Sequence, residues 1–239
     1  MQVNNNSTIS FSSYKNPIKS FDVRTNRGVL RFREINYQHL PKEGFYKKLA
    51  AFFLDNFANT SAHPFWEKCR IPTIDYDVYN DYIKYDVKTY KAALKNKKTT
   101  ILLAKDKSNE IAAALFSTPL NLNKNVKDSK TLYVDSIAVS PKYRGNNVGS
   151  IILQKLFEAS KKEFSDVFLV SYKESVPFYE KIGFKPLNWN NRHQQFVISE
   201  VAKERLDYPM YADFLAKKLN DTEPIPWFVR IQRRNIPKD

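Results

Sequence analysis

The chain has 239 residues, enough for one large domain with a sizeable core, and its 42% hydrophobic and 14% aromatic content excludes a mainly disordered polymer. A single cysteine, Cys69, excludes an internal disulfide framework and a cysteine-built zinc cage. Lys and Arg number 39 against 25 Asp and Glu, a net charge of +14 that suits an anionic partner, although the excess is spread along the whole length and marks no basic arm.

The Ser- and Asn-rich start reads as a flexible leader over residues 1–28. It lacks a long apolar stretch, and no Arg precedes Arg24, so a secretory signal and a typical transit peptide are not expected. The longest apolar runs, Ala50–Leu54 and Ile111–Phe116, are far too short to cross a bilayer. No membrane partner is expected, and the cytoplasm is the default location.

Val29–Ile35 alternates in the manner of a half-buried strand. A helix is expected over 42–57, with Phe45, Leu49, Phe52, Phe53 and Phe57 on one face. Ser61–Pro72, with two prolines and Trp66, reads as a loop or short turn. The next helix is marked by Tyr76, Tyr79, Ile83, Val87, Tyr90 and Leu94, with Asp75, Asp77 and Asp81 early and a lysine group late, an order that complements the helix dipole. That complementarity explains the lysines without a nucleic-acid site.

From Thr99 the period changes to two. Thr99–Lys105 and Glu110–Thr118 read as a hairpin around Asp106–Asn109, Lys124–Lys130 as a polar loop, and Thr131–Val139 as a further strand. Alternation puts Tyr133, Asp135, Ile137 and Val139 on one face of that strand, and Val134, Ser136 and Ala138 on the other. An amphipathic helix is expected over Gly149–Lys162, a buried strand over Asp166–Ser171, and a short helix over Val176–Ile182 capped by Gly183. A strand begins at Phe184, with Gln194–Ser199 as its hairpin partner. A last helix follows, N-capped by Asp207 with Pro209 in its first turn, and then a surface-packed tail. The order implies an α/β fold with a mixed, α+β-like sheet.

The segment that carries chemistry is Thr131–Ser150. A strand ends at Val139, and a loop containing glycine opens directly into a helix, presenting backbone N–H groups and the positive helix end to an anion. Arg144 adds a cation and Ser150 a hydroxyl, so a diphosphate suits the site. The loop has neither the Lys-Ser/Thr of a P-loop nor the G-x-G-x-x-G of a Rossmann turn.

Arg144-Gly-Asn-Asn-Val-Gly149, preceded by Ile137-Ala-Val and Pro141-Lys-Tyr, resembles the R/Q-x-x-G-x-G/A loop of the GNAT-type N-acetyltransferases. Val176-Pro-Phe-Tyr-Glu-Lys-Ile-Gly-Phe184 resembles that family's F-Y-x-K-x-G-F segment. The chain departs from the pattern at Asn147, where the family has glycine; Asn is the side chain that best tolerates positive φ. Tyr172 and Ser175 stand where the family often has Asn and Ala. The resemblance covers roughly 29–199, leaving 200–239 as a helical extension and tail.

The resemblance implies a three-layer fold whose central, mostly antiparallel sheet splays between the family's fourth and fifth strands, with helices on both faces. It implies acetyl-CoA as co-substrate, held by Ile137, Ala138, Val139, Arg144, Gly145, Asn146, Asn147, Val148, Gly149, Ser150, Ser171 and Tyr179. Direct transfer to an amine needs a polarised carbonyl, a deprotonated amine and a proton for the departing thiolate. Backbone groups of Ile137 and Val139 would serve the first need. Tyr179, protonated at neutral pH, corresponds to the family's thiolate-protonating tyrosine, and Asp135 is the candidate base through water. Tyr133 and Glu174 are weaker candidates. His193, beside Arg192 between two expected strands, reads as a surface residue, His39 and His63 lack chemical company, and no grouping has metal-ligand spacing.

The expected activity is acetyl transfer from acetyl-CoA to a primary amine by a monomer or homodimer. The acceptor is a small amine, a protein or peptide amine, or an aminoacyl-tRNA, which the positive charge favours over polycations. The alternative is a catalytically silent module of the same fold that binds coenzyme A or nucleic acid.

Overall fold

The structure is a computed structural model and describes residues 18, 20–38, 40–58, 76–119, 131–172, 175–186 and 228–234. Eight strands form one sheet: β1 (Phe21–Thr25), β2 (Gly28–Ile35), β3 (Thr100–Lys105), β4 (Ile111–Pro119), β5 (Thr131–Val139), β6 (Asp166–Tyr172), β7 (Lys185–Pro186) and β8 (Phe228–Arg234). Their spatial order is β1-β2-β3-β4-β5-β6-β8-β7. Every pairing is antiparallel except β5 with β6.

Among the described residues four helices cover the two faces: α1 (Glu43–Ala58) and α2 (Tyr76–Ala93) on one, α3 (Val148–Ser160) and α4 (Val176–Lys181) on the other. Helical spacing makes each layer. Tyr46, Leu49, Ala50 and Phe53 of α1 pack with Val87 and Tyr90 of α2, the following Leu94, and the strand residues Ile101, Leu103, Ala114, Phe116 and Ala138. The Tyr90 ring meets Phe116 edge-on at 4.8 Å. On the opposite face Ile152, Leu153, Leu156 and Phe157 of α3 cover Leu30, Phe32, Leu102, Leu115, Leu132 and Val134. The three-layer mixed α/β fold expected from the motifs is the fold found.

Four differences from the sequence reading bear on the site. Residues 21–25, expected within a flexible leader, are an edge strand: Phe21-Asp-Val-Arg-Thr alternates, Val23 is buried, and the Phe21 ring stacks on Phe32 at 4.9 Å. Residues 228–234, expected in a surface tail, are β8, inserted between β6 and β7. The expected partner of the strand after Phe184, Gln194–Ser199, lies outside the described residues, and the strand that pairs β7 is β8. The divisions at 28/29 and 199/200 therefore both cut across one sheet.

The fourth difference is a bulge. Phe116 pairs with Ser136, but its neighbour Ser117 pairs with Val134, so Asp135 is an extra residue in β5. Alternation changes phase there: Leu132 and Val134 belong to the core beneath α3, and Ile137 and Val139 pack against that same core. The expected face shared by Tyr133, Asp135, Ile137 and Val139 is thus corrected, because Val134 shares its side with Ile137 and Val139.

Candidate active site

β5 and β6 run parallel and pair only at Thr131 with Asp166, Leu132 with Val167 and Tyr133 with Phe168. Beyond Tyr133 and Phe168, whose rings lie 5.8 Å apart, the strands diverge: β5 continues along β4 and β6 along β8. The bulge at Asp135 sits where the divergence begins, and a bulge bends its strand and increases its twist. The expected splay is present.

Which backbone groups face the gap follows from register. The Ser140 N–H donates to the Ala112 carbonyl at 2.9 Å, so the peptide groups of Ser140, Ala138 and Ser136 face β4. Those of Ile137 and Val139 then face the gap. The Val139 carbonyl has an acceptor's role already, taking a hydrogen bond from Arg144 Nε at 3.0 Å. The N–H groups of Ile137 and Val139 and the Ile137 carbonyl remain directed toward the gap. Ala138, by contrast, turns its side chain into the core beneath α1 and its peptide toward β4.

The loop from β5 to α3 begins with a 3-10 turn over Pro141–Tyr143, whose Tyr143 is buried. Gly145 has φ 79° and Asn147 φ 57°, so the one non-glycine residue at the family's glycine position does adopt the left-handed conformation that Asn tolerates. Asn147 forms the N-cap of α3 without a side-chain cap bond. The first N–H inside the helix ladder is that of Ile151, which donates to the Asn147 carbonyl at 3.0 Å, leaving those of Val148, Gly149 and Ser150 at the positive helix end without an intrahelical acceptor.

Side chains brace this loop. Besides its bond to Val139, Arg144 reaches Asn56 of α1, 3.3 Å from Oδ1, and Asn56 Nδ2 in turn donates to the Phe52 carbonyl at 2.8 Å. Arg144 is therefore a fixed cation, but one turned down onto the end of β5. Asn146 Nδ2 donates to the carbonyls of Tyr143 at 3.2 Å and Arg144 at 3.1 Å, while its Oδ1 accepts from the backbone N–H of Asn26 at 2.9 Å. Gly149 lets α4 approach closely: a Cβ there would lie 3.2 Å from Cζ of Phe178 in α4, tighter than an ordinary contact.

That contact fixes α4 on α3 and positions Tyr179. The Tyr179 ring is 8% exposed and meets Phe178 at 4.9 Å and Phe184 at 5.6 Å, both edge-on. Burial pushes its phenol well above the ordinary tyrosine range, so it stays protonated at neutral pH. Gly183, at φ 89°, ends α4 as expected and turns Phe184 back into the core. Ser171 is 3% exposed on β6, opposite Val229 of β8.

Asp135 is half-buried at the bulge, and its Oδ2 accepts from the Ser136 hydroxyl at 2.8 Å. Tyr133 lies at the branch point of the strands, buried at 7%. Glu174, His39, His63, His193 and Cys69 lie outside the described residues, as does the side chain of Tyr172. Among the described residues no group of His, Cys, Asp and Glu is placed to hold a metal ion, and no helix is long and apolar enough to cross a membrane. Sequence reasoning did not find Asn26 or Asn56; only the pairing of distant segments brings them to the loop.

The model of the acetyltransferase (GNAT) family matches residues 70–184. A glucosamine 6-phosphate N-acetyltransferase of Trypanosoma brucei brucei is 39% identical over 54 residues, which are 22% of this chain and 37% of that protein. The chain thus spans little more than a third of the curated relative it matches. Among solved structures, a protein of Pyrococcus horikoshii OT3 superposes with a TM-score of 0.50 at 13% identity, over 85% of this chain and 98% of that one. The PaiA N-acetyltransferase of Thermoplasma acidophilum, solved in complex with coenzyme A, gives 0.48 at 10% identity over 86% and 98%. Two motifs in order and a sheet that opens at the expected strands agree with that match: residues 70–184 are similar to the acetyltransferase (GNAT) family.

Proposed function

We propose that the chain is an acetyl-CoA-dependent N-acetyltransferase that transfers the acetyl group directly to an amine in a ternary complex. The observation that carries this reading is the opening between β5 and β6, where backbone groups of Ile137 and Val139 face the gap beside the uncapped start of α3. A peptide-like arm can add to the free side of β5 as a strand would, and a diphosphate matches three N–H groups at a helix N-terminus. The residues present fit the coenzyme.

The coenzyme supplies an acetyl group already activated as a thioester. Gly145 and Asn147 shape the loop, Asn146 and Arg144 hold it rigid, and Val148, Gly149 and Ser150 offer their N–H groups to phosphate. An N–H of β5 at the gap polarises the carbonyl. Tyr179 donates the proton to the departing sulfur, and burial keeps that proton in place until it is needed. Asp135, steadied by Ser136, takes the proton from the amine through water. Ser171 lines the β6 side of the opening.

The acceptor we favour is an amine that carries negative charge, since a chain of +14 repels polycations. Aminoacyl-tRNA meets that description, and so does the glucosamine 6-phosphate for which the trypanosomal relative is named. Acetyl-CoA is expected to raise the melting temperature of the chain, because a ligand of the folded state stabilises it by mass action. Arg144→Glu, which removes the brace and sets a carboxylate beside the phosphate site, is expected to abolish that rise. No rise for the unaltered chain at millimolar acetyl-CoA would overturn the reading.

A further inference from the structure

We propose that the turn of the β1–β2 hairpin is a second phosphate site, in which Arg27, with Lys107 beside it, binds the monoester phosphate on the ribose of coenzyme A. The inference rests on the coenzyme reading above. Coenzyme A carries two separate phosphate groupings, a diphosphate and that 3′-monoester. The start of α3 accounts for one of them. Arg144 is turned away onto the Val139 carbonyl and Asn56, and the loop's other cation, Lys142, sits in the 3-10 turn before it, so we look to a neighbouring segment for the second grouping.

Topology brings a neighbour to it. β5, β3 and β1 all run the same way, so the loop after β5, the β3–β4 turn and the β1–β2 turn lie at one end of the sheet. The β1–β2 turn is moored to the phosphate loop by the bond from the Asn26 N–H to Asn146 Oδ1, across 120 residues of sequence. The same Asn146 braces the carbonyls of Tyr143 and Arg144, so one side chain sets the distance between hairpin and loop.

The turn is also internally fixed. Thr25 Oγ1 donates to the Gly28 carbonyl at 2.7 Å and accepts from the Arg27 N–H at 3.1 Å. Arg27 follows the mooring residue directly and is exposed. Lys107 comes over from the β3–β4 turn: its Cε lies 3.8 Å from where a Cβ would stand on Gly28. Among the described residues neither cation has an acidic partner. Of the other cations in these segments, Lys105 donates to Asn109 Oδ1 at 2.8 Å. A guanidinium and an ammonium, exposed beside a moored turn, suit a doubly charged monoester phosphate.

The test titrates the full chain with coenzyme A and with dephospho-coenzyme A, which lacks only the monoester phosphate. The unaltered chain is expected to bind coenzyme A about fivefold or more tightly than the dephospho form, the scale of an exposed charge pair. Arg27→Ala is expected to bring that ratio close to one while leaving the dephospho affinity unchanged, and Lys107→Ala to reduce it in part. A ratio near one for the unaltered chain overturns the inference. So does a ratio that Arg27→Ala leaves intact, even if that variant loses affinity for an RNA oligonucleotide. Equal weakening of both ligands would make the turn merely structural and overturn it as well. Failure of both ligands to bind at all would overturn the coenzyme reading itself.

Discussion

Burial of Tyr179 bears both on stability and on the acid role proposed for it. Its ring fills a pocket formed with Phe178 and Phe184, and the same desolvation that anchors it raises the cost of ionising its hydroxyl. The folded-state pKa lies above the unfolded value near 10, so the folded chain holds this proton more tightly. Stability is therefore unaffected by this group below about pH 10 and falls as pH rises past it, at a limiting slope of about 1.4 kcal/mol per pH unit. Tyr179→Phe removes the ionisable group, so its melting temperature is expected to fall less steeply above pH 10 than that of the unaltered chain. The same variant is expected to lower kcat on the order of 100-fold while changing acetyl-CoA affinity little, the scale of a lost general acid. Turnover within twofold of the unaltered chain would remove Tyr179 from the acid role. Tyr179 was legible in the sequence, because the short motif around it travels with its own helix. Asn56 and Asn26 were not legible: each acts through a partner 88 or 120 residues away, and no local pattern announces that.

At the scale of elements, what the sequence conveyed was whatever a single period determines. The strands at 29–35, 100–105, 111–118 and 131–139 and the helices α1 to α4 follow from alternation of two or from spacing of three and four. The bulge could not be read, since an extra residue in β5 exists only relative to its partner β4. β8 was missed for a related reason. Phe228-Val-Arg-Ile-Gln-Arg alternates, but only its pairing with β6 over Asp166–Tyr172 and with β7 distinguishes a sheet strand from an extended tail. That pairing makes β8 an interior strand, where a proline removes a ladder donor and clashes with the neighbour. Ile231→Pro is expected to cost about 3 kcal/mol, and so to lower the melting temperature by about 6–12 °C in a chain of this size. Ile231→Val, which keeps the donor, is expected to stay within about 3 °C, since conservative apolar swaps are usually mild. An unchanged melting temperature for the proline variant would return residues 228–234 to the surface tail that the sequence first suggested.

Across the whole molecule, folding redistributes the charge. Along the sequence the excess of +14 looks diffuse, yet the three segments at one end of the sheet bring together Arg24, Arg27, Lys105, Lys107, Lys142 and Arg144. Among the described residues of these three segments only Asp106 and Glu110 oppose them, and Asp106 Oδ1 is engaged by the N–H groups of Ser108 and Glu110. This gathering arises because β1, β3 and β5 share a direction in an antiparallel sheet, so the turns that follow them must share an edge. A cluster of one sign around the loop proposed to hold phosphate would steer an anionic ligand toward it, and steering acts on association more than on dissociation. The association rate of acetyl-CoA is therefore expected to fall about tenfold between 0.05 and 0.5 M KCl, as the screening length shrinks below the width of the cluster, while the dissociation rate changes little. Replacing Arg24, Lys105 and Lys142 together by Gln is expected to flatten that dependence and lower the rate at low salt, with the dissociation rate again little changed. Stopped-flow measurement of both rates checks this. A salt dependence carried by dissociation, or one that survives the triple replacement, would mean that the cationic edge does not guide the coenzyme and is left to the anionic acceptor.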